Sequence, residues 1–269
     1  MRNSNQSRAD ETSPFYLALR EALSQRGLRV DDICPPQHRV ARRVLHDYGA
    51  MFIADEAVVP PPACIFSGEA QVSTFQKAAG ITAATIDDSV IELQPPAMAS
   101  LLRARASAQS IGLNITPRDG SEAARRSYAD TLRLWNSRFL PALDHWLEAG
   151  RLSQSQTEAL RALPVDEQVS AVLDLEQEGI FFSKDFSKSV LYSIAAPGTS
   201  QHIAMLAFDI NEFQDRSVRE ILAQHGWFQT VLSDLPHFTF LGLPEAALPQ
   251  RGLKKNAVHG QTFWIPDIG

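Results

Sequence analysis

The chain has 269 residues, of which 44% are hydrophobic and 21% charged, and its formal net charge is -6 at pH 7. A chain of this length and composition is typical of a globular protein with a sizeable core. Binding to nucleic acid requires clusters of basic residues, and spanning a bilayer requires an apolar run of about 20 residues. Because the sequence has neither, we expect no nucleic-acid partner and no membrane span.

The first residues of the chain are polar. Residues 1–13 lack large apolar side chains, which predicts a disordered tail. They also lack the apolar segment of a secretory signal peptide. Two interpretations follow: the protein is cytoplasmic, or the chain begins after a removed leader.

The sequence contains two cysteines, Cys34 and Cys64. Their spacing does not match a zinc-binding or redox motif. A single disulfide between them and a pair of buried, unpaired thiols both fit the sequence.

The first third of the chain is predicted to form short elements. Ser13 and Pro14 are typical of a helix start, and Gly27 of a stop. The elements that follow are a helix over Arg39 to Tyr48, a strand over Met51 to Val59, and mixed short pieces over residues 63–94, including Val72 to Phe75 and Ile86 to Leu93. We interpret residues 14–94 as an N-terminal extension packed on the main domain, residues 95–269.

The remaining two thirds are mostly helical by apolar periodicity. Asp119, with Glu122 three residues later, is typical of a helix N-cap. The predicted helices are 97–111, 119–135, 140–149, 153–163, 165–178 and 217–225, and the predicted strands are 113–117, 227–232, 237–241 and 262–265.

Residues 196–210 carry the main functional signal. Asp209 is the one charge in an apolar run, and His202 stands seven residues before it. A buried carboxylate is costly unless it is paired or binds a metal, and histidine is the commonest side-chain metal ligand. Either this run is a straight buried strand with a satisfied histidine and an ion-paired aspartate, or the chain reverses near Ala204 to Leu206 and both side chains meet one metal.

A third histidine favours the metal interpretation. Catalytic zinc usually takes three protein ligands and leaves one position open. His237 begins an apolar strand and follows Asp234 by three residues. A carboxylate just before a ligand histidine is placed to act as a general base.

These segments resemble motifs of a known family. Ser200-Gln-His-Ile-Ala-Met-Leu-Ala-Phe-Asp209 resembles the Ser-x-His-x-x-Gly-x-Ala-x-Asp motif of the zinc D-Ala-D-Ala carboxypeptidases and dipeptidases of the VanY type. Asp234-Leu-Pro-His237 resembles the family's Glu-x-Trp-His motif. The predicted helix 97–111, Gly112, strand 113–117 and Arg118 are similar to the family's helix, strand and substrate-binding arginine. The resemblance covers roughly residues 95–243.

The resemblance implies an α+β fold of the Hedgehog/DD-peptidase type, with helices around a small, mostly antiparallel sheet that carries one zinc site. The roles that it implies are zinc ligation by His202, Asp209 and His237, general-base catalysis by Asp234, recognition of the substrate carboxylate by Arg118, with Arg126 as a second candidate, and hydrogen bonding near the site by Ser200. For both arginines the alternative is a surface ion pair, which we favour for Arg126. For Ser200 the alternative is a cap on the turn.

The implied function is a zinc metallocarboxypeptidase that hydrolyses peptidoglycan stem peptides or small D-amino-acid peptides, in the periplasm or cell envelope. Asp234, Met205 and Pro236 replace the family's glutamate, glycine and tryptophan. A shorter base must lie closer to the metal, and Met205, which tolerates positive φ poorly, should change the turn and narrow or line the cleft. These departures motivate one alternative, a non-catalytic, zinc-stabilised cell-wall-binding or structural module of the same fold. A metal-free globular protein is a third interpretation.

Overall fold

The computed structural model describes residues 12–35 and 38–268. Most of the predicted disordered tail, residues 1–11, lies outside the described residues. The nine α-helices of the described ranges are α1 (Pro14–Ser24), α2 (Val30–Ile33), α3 (Arg39–Tyr48), α4 (Glu69–Ala79), α5 (Pro95–Gln109), α6 (Tyr128–Glu148), α7 (Gln154–Ala162), α8 (Val165–Gln177) and α9 (Arg216–Gln224).

Three small antiparallel sheets accompany these helices. Their strands are β1 (Thr82–Ile86), β2 (Ser89–Leu93), β3 (Ala207–Asp209), β4 (Trp227–Phe228), β5 (His237–Phe240), β6 (Leu253–Val258) and β7 (Gln261–Pro266). Strands β1 and β2 form one hairpin, β6 and β7 another, and the central sheet has the order β3-β5-β4. The predicted α+β class is therefore confirmed. None of the helices in the described ranges is long and apolar enough to span a bilayer.

One hydrophobic core contains side chains from both the first third of the chain and the remainder. It includes Phe15 and Phe52 from the first third, and Trp135, Phe208 and Trp227 from the remainder, all almost completely buried. Residues 14–94 and 95–268 therefore share one core.

Most helices form where local signals predict them. Ser13 caps α1 through a hydrogen bond from the Tyr16 backbone N–H to its hydroxyl, and Pro14 occupies the first turn. Helix α3 spans the predicted residues and ends at Gly49. Helices α5, α7, α8 and α9 agree with their predictions to within about two residues, as is usual for helix ends.

Two predicted elements of the first third are wrong. The run from Met51 to Val59 is not a strand: Gly49–Ile53 forms a 3-10 helix in which every residue is buried. The complete burial of this 3-10 helix explains why the start of the run is apolar. Residues 72–75 belong to helix α4 rather than to a separate short piece.

The segment before α6 also differs from prediction. Residues 113–117 form no strand, since the only pairing there is an isolated bridge between Pro117 and Ile210. Asp119 has φ +66° and caps no helix through its side chain. Instead, Ser127 and Asp130 form a reciprocal capping box at the start of α6.

Helix α6 merges two predicted helices, and the strand predictions near the C-terminus are partly wrong. Residues 128–148 form one helix that contains Pro141. The predicted strand 227–232 is reduced to β4, and the predicted strand 262–265 lies within β7. The sequence did not predict its partner β6, in which two lysines and an asparagine follow one another and only Leu253 is buried.

Hydrogen bonds from the first 94 residues hold the loop that carries His202. The buried Gln76 side chain donates to the carbonyl of Ile203, and the buried Gln94 side chain donates to that of Ala204. The backbone N–H of Gln94 donates to the Met205 carbonyl. Buried carbonyls require partners, so these amides fix the path of the loop.

Gly198 allows the same loop to lie against residue 66. Its φ is +75°, and the Phe66 backbone N–H donates to its carbonyl at 2.9 Å. A Cβ at this position would overlap the Phe66 carbonyl oxygen. A side chain here would therefore push the two segments apart.

We expect Gly198→Ala to destabilise the protein more than Gly150→Ala. Gly150 has a similar φ of +67°, but a Cβ there would meet nothing within 4 Å. The control should lose about 1 kcal/mol from the left-handed conformation alone, and Gly198→Ala about 1–3 kcal/mol more from overlap. Urea unfolding measures both, and equal losses would contradict the close packing of Gly198 on Phe66.

A disulfide joins Cys34 and Cys64, which settles the two interpretations of the cysteines. The two Cα atoms lie 5.2 Å apart, and both residues are buried. The Cys64 backbone N–H also donates to the Ile33 carbonyl. The bond therefore closes a loop between α2 and the segment that leads to Phe66.

Replacing both cysteines by serine should lower the free energy of unfolding by about 3–4 kcal/mol, because a loop with a sequence separation of 30 is no longer constrained in the unfolded state. Urea unfolding of Cys34→Ser/Cys64→Ser against the unreduced wild type measures this loss. As a control, thiol reductant should destabilise the wild type and leave the double variant unchanged. Finding two reactive thiols in unfolded, unreduced protein would contradict the disulfide.

Candidate metal centre

The central sheet places Asp209 and His237 side by side. Strands β3 and β5 are antiparallel, and Asp209 is the direct register partner of His237. Directly opposed residues project to the same face of a sheet. Asp209 Oδ1 and His237 Nδ1 are 3.0 Å apart, and both side chains are almost completely buried.

A tight chain reversal brings His202 to the same point. Successive turn hydrogen bonds run from the N–H groups of Ile203, Ala204 and Met205 to the carbonyls three residues earlier. His202 Nε2 then lies 3.1 Å from His237 Nδ1 and 3.3 Å from Asp209 Oδ2. The straight-strand alternative is therefore wrong, and the predicted reversal near residues 204–206 is confirmed.

Met205 adopts the conformation that its side chain was expected to avoid. Its φ is +55°, and its side chain is fully buried in the core, away from the cleft. The expectation that Met205 narrows or lines the cleft is wrong. Burial of the side chain and the hydrogen bond from Gln94 to its carbonyl oppose the cost of this conformation.

Ser200 lies at the start of the reversal. Its hydroxyl oxygen accepts a hydrogen bond from the His202 backbone N–H at 3.3 Å, so Ser200 caps the turn. It also lines the cleft described below. Contact between Ser200 and a substrate stays a prediction.

Neighbouring acceptors decide which nitrogen of each imidazole carries a hydrogen. His202 Nδ1 lies 3.0 Å from the Ala124 carbonyl oxygen, which can only accept. The Gln201 side-chain N–H donates to the Tyr48 carbonyl, so its Oε1 is the atom 2.8 Å from His237 Nε2. In the neutral rings His202 Nδ1 and His237 Nε2 therefore carry the hydrogens. This leaves His202 Nε2 and His237 Nδ1 as acceptors.

Three electron-pair donors consequently meet at one buried point. The ligand atoms of His202, Asp209 and His237 all lie within 4.8 Å of one another. The two unprotonated imidazole nitrogens face each other with no hydrogen between them, a contact that an additional proton or a metal ion would satisfy. Ligands of a tetrahedral zinc ion, bonded at about 2.0–2.1 Å, stand about 3.3 Å from each other. The three side chains therefore lie close enough to hold a metal ion, and the chemistry of the donors fits one.

The charge states agree with this arrangement. Burial, together with the positive charge of Arg126, lowers the pKa of His202 to about 4, so this ring is neutral at pH 7. Burial alone would raise the pKa of Asp209, but charge interactions and hydrogen bonds with His202 and His237 hold it well below its usual range. Asp209 is therefore a carboxylate at neutral pH.

Arg126 contacts the candidate ligands directly. Its guanidinium Nη2 donates to Asp209 Oδ2 at 3.0 Å, and its backbone N–H donates to the His202 carbonyl. The side chain is 20% exposed, so the ion pair favoured from the sequence exists but lies inside the site rather than at the surface. Arg126 thus orients Asp209. Its role toward a substrate stays a prediction.

The three side chains lie in a cleft of about 300 Å³. Asp234 and Arg118 also line this cleft. Burial of the Asp234 carboxyl in the cleft raises its pKa, and the negative charge of Asp209 adds to this effect. The residue as a whole remains exposed to solvent. Its carboxylate accepts no hydrogen bond from the described residues. The structure therefore places both predicted catalytic residues in the same cleft as the candidate ligands.

Arg118 is positioned by backbone pairing beside β3. Its N–H donates to the Asp209 carbonyl at 2.9 Å, next to the bridge between Pro117 and Ile210. The guanidinium carbon lies 5.6 Å from the centre of the Phe213 ring. Within the described ranges no carboxylate forms an ion pair with Arg118, so its charge is available to a ligand.

The sequence did not point to the residues that support the site. Gln201 lies within the Ser-x-His motif but is an ordinary turn residue by type, and its link to Tyr48 spans 153 positions. Thr239, whose hydroxyl also donates to Gln201 Oε1, is one polar residue in an apolar strand. That polar position in β5 was the only local signal.

Comparison of the chain with models of protein families and with curated proteins found no match.

We expect Gln201→Leu to weaken zinc binding about 10–100-fold, as is typical when a residue that orients a ligand is removed. The substitution deletes the acceptor that holds His237 Nε2 and leaves the three ligands in place. Competition with a chromophoric chelator measures the affinity. Gln168→Leu is the control, because the Gln168 side chain is also buried but donates to the backbone carbonyls of Arg161 and Leu163, away from the ligands; it should change the affinity much less.

The double variant His202→Ala/His237→Ala should bind no zinc at this site. Wild-type protein that takes up no zinc would contradict the metal centre itself. Unchanged affinity in Gln201→Leu would contradict only the inferred orientation of His237.

Proposed function

We propose that this protein is a zinc-dependent metallopeptidase that removes a C-terminal D-amino acid from D-alanine-containing peptides, such as peptidoglycan stem peptides. The observation that carries the proposal is the convergence of His202, Asp209 and His237 in a cleft that Asp234 and Arg118 also line. The resemblance of residues 95–243 to VanY-type peptidases supports the choice of substrate. A fold of the Hedgehog/DD-peptidase type belongs to the same proposal.

His202 Nε2, His237 Nδ1 and the Asp209 carboxylate would hold the ion. Bound zinc supplies Lewis acidity, which makes water more acidic and polarises a carbonyl. Three protein ligands are the number typical of catalytic zinc sites, whereas structural sites usually have four.

Asp234 is the proposed general base. The pKa of its carboxyl is raised toward neutral pH, as suits a general base. None of the described residues donates a hydrogen bond to this carboxylate. It would accept the proton of the attacking water and return it to the leaving amine. A solvent-accessible carboxylate beside the ligands suits such transfers.

Arg118 is the proposed anchor for the terminal carboxylate of the peptide. A guanidinium binds a carboxylate through two parallel hydrogen bonds, which fixes orientation as well as position. Its backbone link to Asp209 ties this anchor to a metal ligand. A carboxylate bound there would place the scissile bond, one residue away, in the cleft that the candidate ligands line.

The disulfide supports the proposed location. Disulfides persist in oxidising compartments such as the periplasm and are rare in the cytosol. Peptidoglycan lies in that same environment. We therefore extend the proposal to a periplasmic or cell-envelope location.

A peptide ending in D-Ala-D-Ala should release D-alanine when incubated with the zinc-loaded protein. Asp234→Asn should lower kcat about 10²–10⁴-fold, the usual contribution of a general base, while zinc content stays the same. A coupled D-amino-acid oxidase assay measures release. Asp119→Asn removes another carboxylate of the cleft and is the matched control; it should change kcat much less.

Zinc-loaded wild type that releases no D-alanine would contradict the peptidase proposal. If such protein also melted at a lower temperature after chelation, the result would support the alternative of a non-catalytic, zinc-stabilised module. Equal loss of kcat in both variants would contradict the role of Asp234.

A further inference from the structure

A second arginine in the cleft has no acidic partner in the part of the chain that the structure describes. Arg138, on helix α6, lines the same cavity as the candidate metal ligands. Its Nε donates to the Ser193 hydroxyl oxygen at 2.9 Å, and its Nη1 donates to that of Ser137, also at 2.9 Å. Among the described residues no carboxylate lies within ion-pair distance of its guanidinium. Neutral groups therefore hold this cation in place without neutralising it.

The other charges of the cleft are already assigned or lie apart from Arg138. Arg126 is paired with Asp209. Arg118, in the proposed function, takes the terminal carboxylate of the peptide. Asp119 and Asp234 line the cleft, but neither forms an ion pair with Arg138. A fixed, uncompensated guanidinium in a narrow cleft attracts an anionic group of the ligand.

We propose that Arg138 binds a second carboxylate of the substrate, so that the cleft selects peptides with an acidic group near the scissile bond. This inference rests on the proposed peptidase function. The cleft volume of about 300 Å³ is at the small end for ligand pockets, which limits the enclosed part of a peptide to a short segment. The second carboxylate must therefore lie within a residue or two of the bond that is cleaved.

The guanidinium is suited to this task by geometry as well as by charge. The hydroxyls of Ser137 and Ser193 already orient it through Nη1 and Nε. Its Nη2 donates to no described residue and remains for a ligand. An arginine that is oriented before binding loses less side-chain freedom when a carboxylate arrives.

The test compares peptides that differ by one charge. The substrates are acetyl-D-Glu-D-Ala-D-Ala and acetyl-D-Gln-D-Ala-D-Ala, with the dipeptides acetyl-D-Glu-D-Ala and acetyl-D-Gln-D-Ala as a second pair. We expect the zinc-loaded wild type to show a kcat/KM about 10–100-fold higher for the glutamate member of at least one pair, the range for a hydrogen-bonded charge pair. Arg138→Gln should reduce that ratio to about 1.

Arg103→Gln is the matched control, because Arg103 is an exposed arginine on helix α5 outside the cleft. It should keep the preference of the wild type. Hydrolysis of both members of each pair at equal kcat/KM would overturn this inference and leave the peptidase proposal standing. An equal loss on both members in Arg138→Gln would also overturn it, since charge recognition predicts an unequal loss. Failure to hydrolyse any of the four peptides would contradict the peptidase proposal, and the inference with it.

Discussion

Two imidazole nitrogens and one carboxylate face each other at a single buried point, and this contact sets the requirement that the surrounding structure meets. His202 Nε2 and His237 Nδ1 are 3.1 Å apart, and each lies within 3.3 Å of a carboxylate oxygen of Asp209. Arg126 pairs with the carboxylate, but the two unprotonated imidazole nitrogens have no hydrogen between them, which is unfavourable unless they share a proton or a metal ion. The backbone carbonyl of Ala124 and the side-chain oxygen of Gln201 nevertheless turn both rings toward each other. Hydrogen bonds within the protein therefore hold the two rings in an arrangement that a shared proton or a metal ion would stabilise.

The first third of the chain is part of the support for this arrangement. The amides of Gln76 and Gln94 are almost completely buried, and burial of an amide is tolerated because its hydrogen bonds are made. Each donates to a carbonyl of the turn that holds His202. The carbonyl of Tyr48 fixes the Gln201 amide in turn. The described residues of this segment thus contribute no candidate ligand. They hold the backbone of the turn that carries His202 and the Gln201 amide that orients His237.

Local signals in the sequence were sufficient for much of the fold and for the candidate ligands. Ser13 and Pro14 marked a helix start because capping involves only neighbouring residues, and the charge of Asp209 in an apolar run was conspicuous for the same reason. The strand predicted over residues 51–59 failed because complete burial and strand pairing both produce apolar runs. The ion pair of Arg126 with Asp209 spans 83 positions, and the link between Gln201 and Tyr48 spans 153, so neither leaves a local pattern. Contacts of this kind depend on the tertiary fold.

The two glutamine amides also have a consequence for the order in which the protein is made. A ribosome completes Gln94 well before Ala204, its partner 110 residues later, and at about 5–20 residues per second the interval is roughly 6–22 s. Throughout that interval the side-chain amides of Gln76 and Gln94 have been synthesised, but the turn whose carbonyls they bind has not. Contacts between such distant positions slow folding. We therefore expect the turn that carries His202 to form among the last steps of folding. Before that, the amides of Gln76 and Gln94 form their hydrogen bonds with water.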